Sequence, residues 1–369
     1  MTRRSLVRGS AAVAGLGLLA PGPARAQRVQ GSARAAGFYA PIETEPHERS
    51  FLQWPVNTTI HDDPDFLHDL QGTIATIANT IAAFEPVVLM AARAHHKAIR
   101  RRVSAEVALW DIPTDDLWCR DSGPSFVVDG KGGLAVTQFN LNGWGGKQTH
   151  AQDGQIAARV AERLGLPVFD RGLVGEAGGV ETDGKGTLIA HESSFINPNR
   201  NRGSKAEITA MLLETMGAET VIWAPGIKGA DITDYHIDAL ARFVRPGEVL
   251  IQIGAAVDPD DPWSVAAFET RERLAAATDA RGQRLKLVQL PEPQDIRVDS
   301  PDFVSSYVNY YVCNGAVIAA GFGDAEADAE AADTLARLYP DREIILLNID
   351  PLGEVGGGIH CATHEQPKV

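Results

Sequence analysis

The chain of 369 residues contains only 3 cysteines, and an odd, small number excludes a disulfide framework as the source of its stability. No uninterrupted apolar run approaches the roughly 20 residues that a bilayer-spanning helix needs, so no membrane span is expected. Basic residues are outnumbered, 34 Lys and Arg against 48 Asp and Glu, which leaves a net charge of -14. Such a surface repels phosphate backbones and argues against nucleic acid as a partner, while it suits small cations. What is present in quantity is apolar side chain, 44% of the residues, enough to bury a large core and to exclude a disordered chain.

Residues Thr2-Arg3-Arg4-Ser5-Leu6-Val7-Arg8, an apolar stretch from Ala11 to Ala20, and Ala24-Arg25-Ala26 have the layout of a twin-arginine export signal cut before Gln27. The expected organisation is a signal over 1–26, a flexible leader over 27–36 and a single domain over 37–369, with folded delivery to the periplasm. Cleavage removes four arginines and takes the net charge to -18.

Leu67, Leu70, Ile74, Ile77 and Ile81 alternate steps of three and four, one face of a helix, and Pro86-Val87-Val88-Leu89-Met90 follows as a buried strand. The same helix-then-strand order recurs with helices near 152–165, 204–217, 263–280 and 325–338. Four hairpin signals lie between them. Phe126 to Val136 parallels Gly179 to Ile189, each a strand, an Asp-Gly turn and a strand, while Pro246-Gly247 and Asn314-Gly315 mark two more. A period near 60 residues and five β-β-α-β units predict a closed radial α/β assembly.

Polar residues keep a fixed phase with these turns. Asp121 lies nine residues before Gly130, Glu176 eight before Gly184, Asp238 nine before Gly247 and Ser306 nine before Gly315. In a pseudosymmetric ring equivalent positions converge on the axis, where three carboxylates would bind a cation. His236, two residues from Asp238, is expected on the same side of a strand and in the same pocket, as an acid/base candidate. Gly356-Gly357-Gly358 would let Cys361 meet a ligand closely, whereas Cys313 reads as core. Trp118 and Trp144 are either stacking walls for a cation or core filling, Arg120 is expected in a buried ion pair, and Asn309 is the fourth unit's candidate pocket residue.

The ordered set Glu45-Pro46-His47, Trp54-Pro55, Trp118-Cys119-Arg120-Asp121-Ser122-Gly123-Pro124, Gly143-Trp144-Gly145-Gly146, Asn197-Pro198-Asn199-Arg200, His236-Ile237-Asp238, Tyr307-Val308-Asn309 and Gly357-Gly358-Ile359-His360-Cys361 resembles the agmatine deiminase and bacterial-type peptidylarginine deiminase family of the guanidine-modifying (pentein) superfamily. The resemblance implies a five-bladed pseudosymmetric ββαβ propeller. It also implies a nucleophile at Cys361, an acid/base at His236, guanidinium-binding carboxylates at Asp121 and Asp238, a further catalytic carboxylate at Glu176, and substrate contacts from Trp118, Trp144 and Asn309. The implied reaction converts agmatine to N-carbamoylputrescine and ammonia, with no metal or organic cofactor. Partners would be a small guanidinium substrate and, as an open possibility, further copies of the chain. Peptidylarginine deimination and guanidine binding without turnover are the alternatives. Departures from the family pattern are Ala177 and Tyr235, each in place of a glycine, and His364-Glu365-Gln366-Pro367 in place of Gln-Gln-Gln-Pro. A rival reading, a metal held by His360, Cys361 and His364, lacks a second ligand pair.

If Arg3 and Arg4 form an export address, Arg3→Lys with Arg4→Lys should retain the precursor in the cytosol. Cell fractionation reads this, and undiminished periplasmic arrival would rule out the twin-arginine route.

Overall fold

The structure, a computed structural model, describes residues 28–298, 300 and 302–369; the expected signal over 1–26 lies outside the described residues. The fold is α/β and contains five sheets, of four, three, three, three and four strands. All five follow one rule. Two strands pair antiparallel, a helix crosses over, and a third strand returns parallel to the second.

In the first unit Ser125–Val128 pairs with Leu134–Thr137, and helix Ile156–Leu164 leads to Val168–Phe169. The second runs Val180–Thr182, Thr187–His191, helix Lys205–Met216 and Thr220–Ala224. The third has Ala241–Arg245, Glu248–Gln252, helix Pro262–Ala276 and Lys286–Leu290. The fourth has Tyr311–Cys313, Ala316–Ala320, helix Ala325–Leu338 and Glu343–Leu347. In the fifth unit the antiparallel pair joins opposite ends of the chain, Thr363–Pro367 with His47–Gln53, before helix Pro64–Ile81 and strand Val87–Ala91 complete it. No turn motif marks that fifth pair, which is why only four hairpins are visible in the sequence.

The first two hairpins repeat down to single hydrogen bonds. Asp129 Oδ1 accepts from the amides of Lys131 and Gly133, both at 2.7 Å, and Asp183 Oδ1 accepts from Lys185 at 2.7 Å and Thr187 at 2.8 Å. Gly130 and Gly184 both sit at φ 67°, a left-handed turn position at which glycine carries no Cβ penalty. Helix Pro64–Ile81 begins where Asp63 caps the amides of Asp65 and Phe66, and its predicted face of Leu67, Leu70, Ile74, Ile77 and Ile81 is buried. The third unit's helix stops at Ala276, four residues before the expected end. Thr278 there bridges to Arg284, and Asp279 Oδ1 takes the amides of Arg281 and Gln283, a turn that outcompetes further helix.

Residues 28–36, read in the sequence as a leader, make contacts of their own. Arg28–Val29 pairs parallel with Val168–Phe169, the amide of Arg34 donates to Glu214 O at 3.2 Å, and Ala33 is fully buried. The chain then passes over Gly217, which caps helix Lys205–Met216 at φ 65°.

Gly165 and Gly217 close two helices in the same left-handed conformation, but a Cβ on Gly165 meets nothing, whereas one on Gly217 runs into the backbone of Phe38 and Tyr39. Gly165→Ala should therefore cost only the left-handed penalty, about 1–2 kcal/mol. Gly217→Ala should lower the melting temperature clearly further. Equal losses in a thermal melt would show that Phe38 and Tyr39 do not pack over Gly217 as described.

Candidate active site

Each unit contributes to one buried cluster from the residues just upstream of its first strand. Asp121 sits in the short helix Cys119–Ser122, and Glu176 precedes the 3-10 turn Ala177–Gly179. His236 and Asp238 flank the start of the 3-10 turn Ile237–Ala239, Asn309 stands two residues before Tyr311–Cys313, and Cys361 lies in the helical turn Ile359–Ala362. For Asp121, Glu176 and Asp238 the predicted phase with the hairpins thus corresponds to a shared position in space.

Two placements differ from the sequence reading. His236 and Asp238 lie on a turn rather than a strand, because Asp234 and Tyr235 take positive φ, 61° and 71°, and pairing starts only at Ala241. Ser306, the in-phase residue of the fourth unit, stays outside the cluster. Its hydroxyl donates to Ala239 O at 2.7 Å and accepts from the amide of Asn309 at 3.2 Å. Asn309 takes the place in the cluster, so Ser306 orients the loop that delivers it.

Asn309 holds Cys361 on two sides. Its Nδ2 donates to Cys361 Sγ at 3.1 Å, and its Oδ1 accepts from the Cys361 amide at 3.2 Å. Cys361 Sγ lies 3.5 Å from Asp238 Oδ2. The other oxygen of that carboxylate, Asp238 Oδ1, is buried without a hydrogen-bond partner. Across the cluster, Asp121 accepts from Trp144 Nε1 at 2.8 Å and from the Gly178 amide at 3.1 Å. His236 spans two acids, with Nε2 3.3 Å from Glu176 Oε2 and Nδ1 3.8 Å from Asp121 Oδ1. Glu176 is anchored in turn by Arg200 Nε at 2.8 Å.

The glycine run serves the site by leaving room. A Cβ on Gly357 would strike the ring of Trp118, and one on Gly358 would reach Asn309 Oδ1. Gly178 is equally constrained, since its Cβ would fall 2.8 Å from Asp121 Oδ1 and 2.9 Å from His236 Nδ1. Trp118 is half-buried beside Gly357, whereas Trp144 is buried and tethers Asp121. The departures point elsewhere: Ala177 packs on an apolar cluster, and the Tyr235 ring is stacked on His191 and edge-on to Trp263.

Charge is arranged unevenly. Burial pushes the Asp121 carboxyl up to about 6 against the pull of His236. Burial opposes charge on His236, but Asp121 and the hydrogen bond His236 donates to Glu176 outweigh it and raise the imidazole to about 9. The Cys361 thiol lies well above its ordinary value through burial and the neighbouring Asp238 and Asp121. Cys119 and Cys313 are buried, and of the three cysteines only Cys361 is partly exposed.

Sequence reading missed most of what lies beneath. Glu43 accepts from Arg120 NH2 at 2.8 Å and from the Val312 amide at 2.9 Å, and it stands 3.1 Å from Arg242 NH2 and 3.0 Å from His360 Nε2. Arg120 also pairs with Glu365, and Arg242 with Glu181, both at 2.9 Å. An arginine inside the apolar strand Ala241-Arg242-Phe243-Val244 was the available signal. Among the described residues no three His, Cys, Asp or Glu side chains form a metal-holding group, and the ring nitrogens of His360 are taken up by Asp238 and Glu43.

A thiol flanked by two buried carboxylates and an imidazolium defines a hydrolase acting on the C–N bonds of guanidino groups, and comparison with known proteins agrees. Residues 39–367 match the model of the Porphyromonas-type peptidyl-arginine deiminases, and the chain belongs to that family. It is 34% identical over 366 residues to an agmatine deiminase of Pseudomonas aeruginosa strain LESB58, covering 90% of this chain and 96% of the relative. The structure of an agmatine deiminase of Enterococcus faecalis superimposes with a TM-score of 0.85 at 28% identity, covering 93% of this chain and 100% of that one. An agmatine deiminase variant of C. jejuni with substrate bound shares the fold, with a TM-score of 0.78 at 23% identity, covering 90% and 96%.

The charge states set a pH window. If Asp121 holds a cation and His236 acts as an acid, the first must ionise and the second must keep its proton. For a guanidine substrate, kcat/KM should rise through about pH 6 and fall through about 9, the two steps belonging to the coupled set. A flat profile from pH 5 to 10 would detach these two residues from the rate.

Proposed function

We propose that the protein hydrolyses agmatine to N-carbamoylputrescine and ammonia through a covalent adduct on Cys361. One observation carries this reading. Asp238 lies beside the Cys361 sulfur with its second oxygen buried and unpaired, a position that a planar cation fills with charge-assisted hydrogen bonds.

In the free enzyme the two carboxylates keep the thiol protonated. A bound guanidinium between Asp121 and Asp238 offsets their charge and lowers the cost of forming the thiolate, whose proton passes to solvent. The sulfur attacks the guanidinium carbon. As the C–N bond breaks, His236 gives its proton to the departing ammonia, leaving a thiouronium on Cys361. His236 then takes a proton from water, which adds to the same carbon, and the C–S bond breaks to release the ureido product and the cysteine. Glu176 stabilises the charged imidazole before the first of these steps and after the second. Such acid/base help is typically worth about 10²–10⁴ in rate.

Closure of the five units into a five-bladed ring belongs to the same proposal, supported by the delivery of one cluster position from each. So does export to the periplasm, which rests on residues 1–26 alone. The second reading is deimination of peptidyl-arginine, favoured by the family description that matches residues 39–367. Agmatine is preferred because a dication gains more than a monocation from a chain of net charge -14 and from a third acid at Glu176.

The test is ureido-product formation from agmatine and from a blocked arginine amide. Agmatine should show the higher kcat/KM at low salt, with the gap narrowing as salt screens the charge. Cys361→Ser should abolish turnover with the fold retained, and Cys119→Ala should keep substantial activity. Better turnover of the blocked amide at low salt would assign the peptidyl substrate, and full activity in Cys361→Ser would end the adduct mechanism.

A further inference from the structure

His360, the residue before the candidate nucleophile, has no part in the chemistry above, yet it is 2% exposed and held on every side. Its Nδ1 lies 2.8 Å from Asp238 Oδ2, and its Nε2 lies 3.0 Å from Glu43 Oε2. With both carboxylates ionised, only an imidazole carrying hydrogen on both nitrogens satisfies both contacts. Its backbone is equally fixed, because the His360 amide donates to Asn309 O at 3.1 Å and its carbonyl accepts from Arg120 Nε at 3.3 Å.

The consequence falls on Asp238. That carboxylate has two oxygens, and the imidazole holds Oδ2, the oxygen that also faces Cys361 Sγ and Gly178. Oδ1 is the oxygen left bare. Without His360 the carboxylate loses its 2.8 Å anchor at Oδ2, is free to turn, and keeps neither oxygen in a fixed pose toward an incoming cation.

We propose that His360 is a positioning residue for guanidinium binding: bridged between Glu43 and Asp238, it holds the Asp238 carboxylate by Oδ2 and so fixes its orientation beside the Cys361 sulfur. The proposal rests on the deiminase reading above. Glu43 is the other half of the device, since Arg120, Arg242 and the Val312 amide hold its carboxylate and give His360 a rigid support. Asp238 lies below the ordinary carboxylate range; burial resists this, and the hydrogen bond and charge of His360 prevail.

Isosteric amides separate the two contacts. In His360→Asn the amide nitrogen falls near the place of Nδ1 and still reaches Asp238, while in His360→Gln it falls near Nε2 and reaches Glu43 instead. His360→Gln should lower kcat/KM for agmatine by about 10- to 100-fold, the range for losing a hydrogen bond to a charged group. His360→Asn should recover most of that loss. Calorimetric binding of agmatine in the Cys361→Ser background gives a binding readout without turnover, and the Kd should rise when His360→Gln is added and stay near the background value when His360→Asn is added. Melting curves check the fold of both variants.

Equal defects in the two variants, or activity within threefold of wild type in both, would overturn the proposal. Should neither variant fold, ¹⁵N resonances of labelled histidine in the wild-type protein decide, with His360 assigned by its contacts to Asn309. Two protonated ring nitrogens support the bridge, and one bare nitrogen refutes it. Wild-type protein that turns over neither agmatine nor the blocked arginine amide, with no binding of either in Cys361→Ser, would refute the deiminase reading itself.

Discussion

A single buried carboxylate, Glu43, ties the structure together. Arg120 from the first unit, Arg242 from the third, the Val312 amide from the fourth and His360 from the fifth all meet on its two oxygens, and Arg242 brings in Glu181 from the second. Burial alone would neutralise such a group; the two guanidinium groups and the imidazole instead hold it well below the usual carboxylate range. Desolvating these charges costs as much as their attraction returns, so the network is better understood as specifying geometry than as adding stability. Its geometric value is direct. Arg120 adjoins Asp121, Arg242 follows Asp238 by four residues, and His360 adjoins Cys361, so each anchor sets the position of a cluster residue beside it in the chain.

Local features of the sequence were legible because local physics decides them. Steps of three and four from Leu67 to Ile81 became the buried face of a helix, and Asp-Gly turns became hairpins whose aspartates bind the following amides. The helix near 325–338 appears as Ala325–Leu338. The polar phase upstream of each hairpin was readable for the same reason, as a fixed offset from a turn residue is a fixed place on a repeated unit. Cys361, His236, Asp238, Asp121, Glu176 and Asn309 do come together.

What was not legible is non-local. Nothing near Glu43 in sequence announces arginines from two other units, and nothing near His47–Gln53 announces Thr363–Pro367 as its neighbour. Ser306 was placed by counting, but a hydroxyl that satisfies its own loop leaves the cluster to Asn309. Periodicity also cannot tell a strand from a 3-10 turn over three residues, and the positive φ at Asp234 and Tyr235 settled that point against the strand. Tyr235 shows how a strained position can be retained. A tyrosine at φ 71° carries a backbone cost of about 1–2 kcal/mol, and the stacking of its ring between His191 and Trp263 offsets it.

The antiparallel pairing of Thr363–Pro367 with His47–Gln53 has a meaning for biosynthesis. A ribosome releases this chain in order, and the strand that completes the fifth sheet leaves the tunnel after every other element described here. Until then His47–Gln53 presents an open edge, and the thiol two residues upstream of the missing strand has no Asn309 to grip it. Synthesis therefore imposes an order: the sulfur reaches its place beside Asn309 and Asp238 only after the strands of the other four units have been made.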